Sequence, residues 1–145
     1  MEDKKKIFFT VPGPPQGKAR ARTFYNSRIG KMQSMTPDKT VLYENFIKVA
    51  FNSVSTHIWD DKQPLEMTIS AYFEIPRSSS KKSRQLMLEN IVRPTKKPDI
   101  DNIVKALQDA LNGLAYKDDS SIVFLSVAKC YSEVPKVEVI LREIE

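Results

Sequence analysis

Five residues in the last third of the chain could do chemistry together: Asp99, Asp101, Lys105, Asp118 and Asp119. With Asp99 as an N-cap and Asp101 two residues on, both acids fall in the first turn of an expected helix, Asp99 to Asn112, where free backbone N–H groups and the helix dipole favour negative charge. At about 100° per residue, Lys105, Gln108 and Asn112 lie within about 40° of Asp101, while Ile103, Val104, Leu107, Ala110, Leu111 and Leu114 gather on a separate apolar arc. Asp109 falls about 80° from Asp101, on the flank of the helix, and reads as structural. Read alone, the segment is an N-cap, a first-turn acid and an ordinary i,i+4 pair of Asp101 with Lys105. Asp118-Asp119, in a loop ahead of an expected strand, adds a second acidic element. If that strand lies beside the helix start, three or four carboxylates converge, and a divalent cation would offset their repulsion. An oxygen-only ligand set suits Mg²⁺, with Mn²⁺ as a substitute, rather than zinc.

Around this segment the chain reads as one small domain. Its 145 residues and 41% hydrophobic content suffice for one ordinary core. Ile7 to Val11 is short, aromatic and β-branched, and stops at Pro12-Gly13-Pro14-Pro15. Residues 16–33 fit a hairpin or a flexible arm. Pro37 reads as helix N1 behind Thr36, with Val41, Leu42, Phe46, Val49 and Ala50 recurring at helical spacing. Leu65 to Ile75 alternates apolar and polar throughout, a strand with one face in the core. Arg77 to Arg84 reads as a solvated loop leading into a short helical turn near Gln85 to Glu89. Arg93 to Pro98 is a rigid basic connector, and Gly113 is placed to end the Asp99 helix. Ser121 to Tyr131 and Lys136 to Arg142 complete the strands. The order β, (ββ), α, β, α, β, β implies an α+β (mixed α/β) fold, one mixed sheet with two main helices. No glycine-rich loop points to a P-loop or Rossmann site.

Charge is asymmetric. Residues 1–48 carry ten Lys/Arg against four Asp/Glu, and residues 96–145 carry seven against nine, so a polyanionic partner is plausible for the N-terminal third. Lys18, Arg20 and Arg22 alternate with small residues and, if extended, form a row suited to phosphates; the alternative is a solvated loop. Lys96 and Lys97 flank the acidic segment and would offset its repulsion for DNA, as would Lys81, Lys82 and Arg84. Phe24 and Tyr25 could stack on unpaired bases or pack in the core. Cys130 is the single cysteine and His57 the single histidine; the first reads as an inert strand thiol, the second as a surface or packing residue. No apolar run approaches the roughly 20 residues of a membrane span, and the N-terminus lacks a secretory apolar stretch, so a cytoplasmic location without membrane contact is expected.

Lys97-Pro98-Asp99-Ile100-Asp101-Asn102-Ile103-Val104-Lys105-Ala106-Leu107-Gln108-Asp109-Ala110-Leu111-Asn112, followed by Tyr116-Lys117-Asp118-Asp119, resembles the signature of the RusA-type Holliday-junction resolvases: D-x-D-N-x-x-K, then D-A-L, then an aromatic and a D-D pair. The close match covers about a quarter of the chain, and Val11 to Arg22 resembles the family's first strand and basic turn more loosely. The resemblance implies that Asp99, Asp101 and Asp119 bind the metal with Asp118 assisting, and that Lys105 is the catalytic-site lysine. It also implies a homodimer that binds four-way junctions and cuts two strands symmetrically. Phosphodiester hydrolysis needs an activated water and stabilisation of charge on the phosphate and leaving oxygen, which carboxylate-held Mg²⁺ can supply. Lys105 could contact the phosphate or orient the water. A non-catalytic nucleic-acid-binding module, or a nuclease preferring flaps or forks, are the competing readings. An exposed apolar edge strand at Val137 to Leu141 is a candidate dimer interface.

Overall fold

Ile7, Phe9 and Val11 alternate with exposed or half-buried neighbours, and the strand they define, β1 (Lys6–Pro12), turns all three into the core. The computed structural model describes residues 4–19, 22–35 and 37–145. The chain continues through β2 (Arg22–Asn26), β3 (Lys31–Met35), α1 (Asp38–Asn52), β4 (Leu65–Glu74), α2 (Lys81–Leu88), α3 (Ile100–Leu111), β5 (Ile122–Ser132) and β6 (Lys136–Glu143). The main sheet runs β1-β6-β4-β5, and β2-β3 is a separate two-stranded ribbon. β6 is antiparallel to both its neighbours, whereas β4 and β5 are parallel. A parallel pair needs a crossover, and here the crossover carries α2 and α3. This is the expected α+β architecture with one mixed sheet.

β4 follows its sequence pattern: Leu65, Met67, Ile69, Ala71 and Phe73 are all buried. They join β1, Val137, Val139 and Leu141 of β6, and the apolar faces of α1 and α3 in one cluster. α3 buries Ile103, Val104, Leu107, Ala110 and Leu111 as the helical arc requires, with Ala106 added.

Four expectations are corrected. Pro37 is the N-cap of α1 and not its first helical residue, and Thr36 lies outside the described residues. α1 buries Thr40, Tyr43, Ile47 and Phe51, leaving Val41, Leu42, Phe46 and Val49 exposed. Both sets have helical spacing, and packing of α1 against α3 and β1 decides between them. The second half of the serine- and lysine-rich loop, from Lys81 to Arg84, is already helix, because the Ser80 side chain accepts the Ser83 N–H and caps α2. Val137 to Leu141 is not an edge. β6 is flanked by β1 and β4, and its apolar residues are core.

Candidate functional site

The site is built where α3 begins. Asp99 is the N-cap of α3 with extended backbone, but its carboxylate makes no capping hydrogen bond. Asp101 projects from the first turn. Among the described residues neither carboxylate has a hydrogen bond or cation partner, although backbone amides and the helix dipole favour negative charge at this end. The 3-10 turn Asp119–Ser121 packs against α3. Asp118 caps that turn by accepting the Ser120 N–H at 3.2 Å. The Ser120 side chain and backbone together hold the Asp118 carboxyl below the usual range. Asp119, half-buried beside it, has no partner among the described residues.

Tyr116 ties the Asp118-Asp119 turn to the C-terminal half of α3. It is fully buried, its hydroxyl donates to the Gln108 carbonyl oxygen at 3.0 Å, and its own carbonyl accepts the Gly113 N–H at 2.8 Å. Burial first, then the nearby Asp119, Asp109 and Asp118, push its pKa far above the ordinary tyrosine value. The phenol is therefore a fixed neutral strut between α3 and the Asp118-Asp119 turn. Gly113, at φ 76°, turns the chain out of α3 where a residue with a Cβ would be strained.

Lys105, one turn below Asp101, does not pair with it. Its ammonium lies 3.6 Å from Asp109, the i+4 position, and its side chain is mostly exposed. Asp109 also holds Lys18 at 3.2 Å, and Lys18 in turn donates to Glu44 of α1. Burial opposes the charge on Lys18, but hydrogen bonds and attraction from Glu44 and Asp109 outweigh it, raising its pKa above the ordinary value. Lys18 is thus engaged by two carboxylates and serves to fix the chain rather than to stand in a free row. Glu44, on the polar side of α1 and 26 residues from Lys18, gave no local sequence signal for this role.

The segment carrying Lys18 docks tightly on α3. The Lys18 N–H donates to the Asn102 carbonyl oxygen at 3.0 Å, and the Ala19 N–H donates to Oγ1 of buried Thr40. Gly17 is required by contact: a Cβ there would meet Asn102 Cβ at 2.9 Å and Pro98 Cβ at 3.0 Å. A groove of about 610 Å³ runs between this segment and the starts of α1 and α3, with Asp99, Lys39 and Lys97 among its walls. Lys97 precedes Pro98 through a cis peptide bond. Lys96 lies elsewhere, its ammonium 5.8 Å from the centre of the Phe73 ring. Arg22 begins β2, Arg20 lies outside the described residues, and Arg84 is paired with Glu133 at 2.7 Å.

The carboxylates Asp99, Asp101 and Asp119 are hard oxygen donors without competing cations, which is the chemistry of a Mg²⁺ site. Among the described residues, no three His, Cys, Asp or Glu side chains stand together closely enough to hold a metal ion. A full carboxylate cage is therefore not formed by side chains alone. One or two carboxylates with water and a substrate phosphate are the usual Mg²⁺ arrangement, and the donor set fits that. The His57 ring meets Trp59 edge-on at 5.1 Å.

An acid-headed helix with an exposed lysine, set beside a groove with basic walls on a small α+β fold, defines a protein with groups suited to phosphodiester chemistry. The sequence matches the family Endodeoxyribonuclease RusA over residues 12–142, and the chain belongs to that family. It is 39% identical over 142 residues to the uncharacterized protein YqaN of Bacillus subtilis strain 168, covering 95% of this chain and 96% of that protein. A shorter stretch of 51 residues is 41% identical to the crossover junction endodeoxyribonuclease rusA of Lactococcus phage r1t, 34% of this chain and 39% of the phage protein. No helix among the described residues is long and apolar enough to cross a membrane.

Proposed function

We propose that this protein is a Mg²⁺-dependent, structure-specific endodeoxyribonuclease that resolves four-way DNA junctions in recombination and repair. The observation that carries the reading is the pattern of partners on α3: Asp99 and Asp101 at its head are unpaired among the described residues, while Asp109 below them is saturated by two lysines. Membership of the endodeoxyribonuclease family supports the substrate class.

One or two of Asp99, Asp101 and Asp119 would hold Mg²⁺ at a time, with water and a substrate phosphate filling the remaining positions and Asp118 nearby; Mn²⁺ suits the same donors. When bound, the ion supplies a nucleophilic water near neutral pH and stabilises charge on the scissile phosphate. The chain's own groups do the rest. Lys105, exposed and oriented by Asp109, offers a cation to the phosphate. Lys39 and Lys97 at the groove offset repulsion between the acidic helix start and the DNA backbone. Tyr116 keeps the Asp118-Asp119 turn fixed against α3.

Two-fold cutting calls for a homodimer, and the edge strand β5 supports one. Val123, Phe124 and Leu125 are exposed along a strand with one neighbour only. Such an apolar edge is suited to isologous pairing with a second copy.

The test is incubation of the purified protein with labelled four-way, forked and linear duplexes, with Mg²⁺ and with EDTA. Symmetric, Mg²⁺-dependent nicking of the four-way substrate is the expected result. Preferential cutting of forks or flaps would change the substrate, and tight junction binding without cutting under any divalent cation would make the protein a binding module.

A further inference from the structure

The β2–β3 ribbon has a feature that the acidic site does not use. Its register pairs Tyr25 with Met32 and Thr23 with Ser34 on one face, and Phe24 with Gln33 on the other, with Met35 in line with Phe24. The second face looks in part toward the start of α1, where Phe24 and Met35 line a groove with Thr23, Pro37 and Asp38, although Met35 is itself 55% exposed. The first face is bare: Tyr25 is 63% exposed and Met32 62% exposed. The Tyr25 hydroxyl reaches toward Gly30, only 3.9 Å from where a Cβ on that glycine would lie, so the ring lies along the ribbon with one side open.

The ribbon is held in shape by its turn. The Asn26 carbonyl accepts the Gly30 N–H at 2.9 Å, its side-chain oxygen accepts the Arg28 N–H at 3.0 Å, and its amide donates to Gln33 at 2.9 Å. Gly30 at φ 64° closes the turn. An isolated two-stranded hairpin is marginal in water, and two large apolar side chains in solvent do nothing to stabilise it. A ribbon of this kind is also of a size to enter the major groove of duplex DNA.

Charge decides what covers the face. Between Gly13 and Pro37 the chain has Arg20, Arg22, Arg28 and Lys31 besides Lys18, which Glu44 and Asp109 hold, and no Asp or Glu. Arg28 and Lys31 sit at the exposed tip. A second copy would bring like charges together, whereas nucleic acid supplies phosphates for the tip and bases for the ring. We infer that the Tyr25–Met32 face is a stacking surface for an unpaired base of branched DNA, with Arg28 and Lys31 on the adjacent phosphates. This rests on the nuclease reading above and names the part of the substrate that the ribbon contacts.

The experiment uses four-way and forked DNA carrying 2-aminopurine beside the branch point, titrated with the full-length protein in EDTA, together with a fully paired linear duplex. Wild-type protein should quench the fluorophore as the base stacks. Tyr25→Ala should abolish the quench and weaken binding to branched DNA by about tenfold, with duplex binding unchanged, and Tyr25→Phe should restore both. Arg28→Gln with Lys31→Gln should weaken binding to branched and linear DNA alike and reduce the salt slope. Wild-type affinity and quench in Tyr25→Ala would overturn the inference while leaving the nuclease reading intact. So would a shift from dimer to monomer in sedimentation of Tyr25→Ala, which would make the face an interface between copies. Failure of the wild-type protein to bind any branched DNA would overturn both together.

Discussion

Two groups of carboxylates on one helix have opposite fates. At the head of α3, Asp99 and Asp101 have no cation or hydrogen-bond partner among the described residues, not even the capping bond an N-terminal aspartate can make. Two turns further on, Asp109 is held by Lys18 and Lys105, and Lys18 is anchored again by Glu44. The acids are chemically the same, and both groups belong to the polar side of the helix. What separates them is the neighbouring chain: residues 15–19 and α1 bring a lysine and a glutamate to Asp109, and nothing comparable to the helix head. Unpaired carboxylates remain available to an external cation. Saturated ones fix geometry.

The largest expected effect breaks the pair at its functional end. Asp101→Asn should cut Mg²⁺-dependent cleavage of a four-way junction by on the order of 10³-fold, with junction binding nearly intact. Its midpoint in urea should stay near wild type, because the Asp101 carboxylate holds no partner among the described residues. A variant that cleaves at the wild-type rate would remove Asp101 from the metal site.

Asp109→Asn should do the reverse. It leaves Lys18 facing Glu44 alone and costs about 1–3 kcal/mol of stability, measured by urea denaturation. Cleavage should fall by about tenfold, because Lys105 loses the partner that orients it. In a Lys105→Ala background the same substitution should have no further effect on cleavage, and additive losses would contradict a role exercised through Lys105.

A smaller change bears on how the basic segment is seated. Gly17→Ala places a Cβ against Asn102 and Pro98 and should cost about 1–2 kcal/mol as α3 and the segment are forced apart. An unaltered melting temperature would show that the seating is loose.

The smallest effect is in alkaline solution. Lys18 has a folded pKa above its ordinary 10.5, so its contribution is fully present below that value and is lost as pH rises through the folded pKa. Lys18→Met should flatten the fall in stability above pH 10.5 relative to wild type. An unchanged alkaline limb would argue that Glu44 and Asp109 contribute little through Lys18. The head carboxylates, lacking such a partner, should give no counterpart on substitution.

Much was legible in the residues because the signals were local. Strict alternation in Leu65 to Ile75 produced β4, and the apolar arc from Ile103 to Leu111 produced the buried face of α3 with Asp99 and Asp101 at its head. The family was readable because the run from Lys97 to Asn112, followed by Tyr116 to Asp119, resembles its signature. Residues 16–33 left hairpin and flexible arm open, since a ribbon with few neighbours is decided by its turn bonds.

What only the tertiary structure decided depended on partners distant in sequence. Lys18 alternates with Arg20 and Arg22 and looks like part of a phosphate row, yet two carboxylates from separate helices claim it. α1 has two apolar stripes, and only packing against α3 and β1 selects Tyr43, Ile47 and Phe51 over Leu42, Phe46 and Val49. β6 alternates like any half-buried strand, and its central place follows from pairing with β1, more than a hundred residues earlier. Sequence determined which side chains could carry the chemistry, because type and local spacing are written there. Which of them are left free to do it was settled by long-range electrostatic and packing contacts that no local pattern encodes.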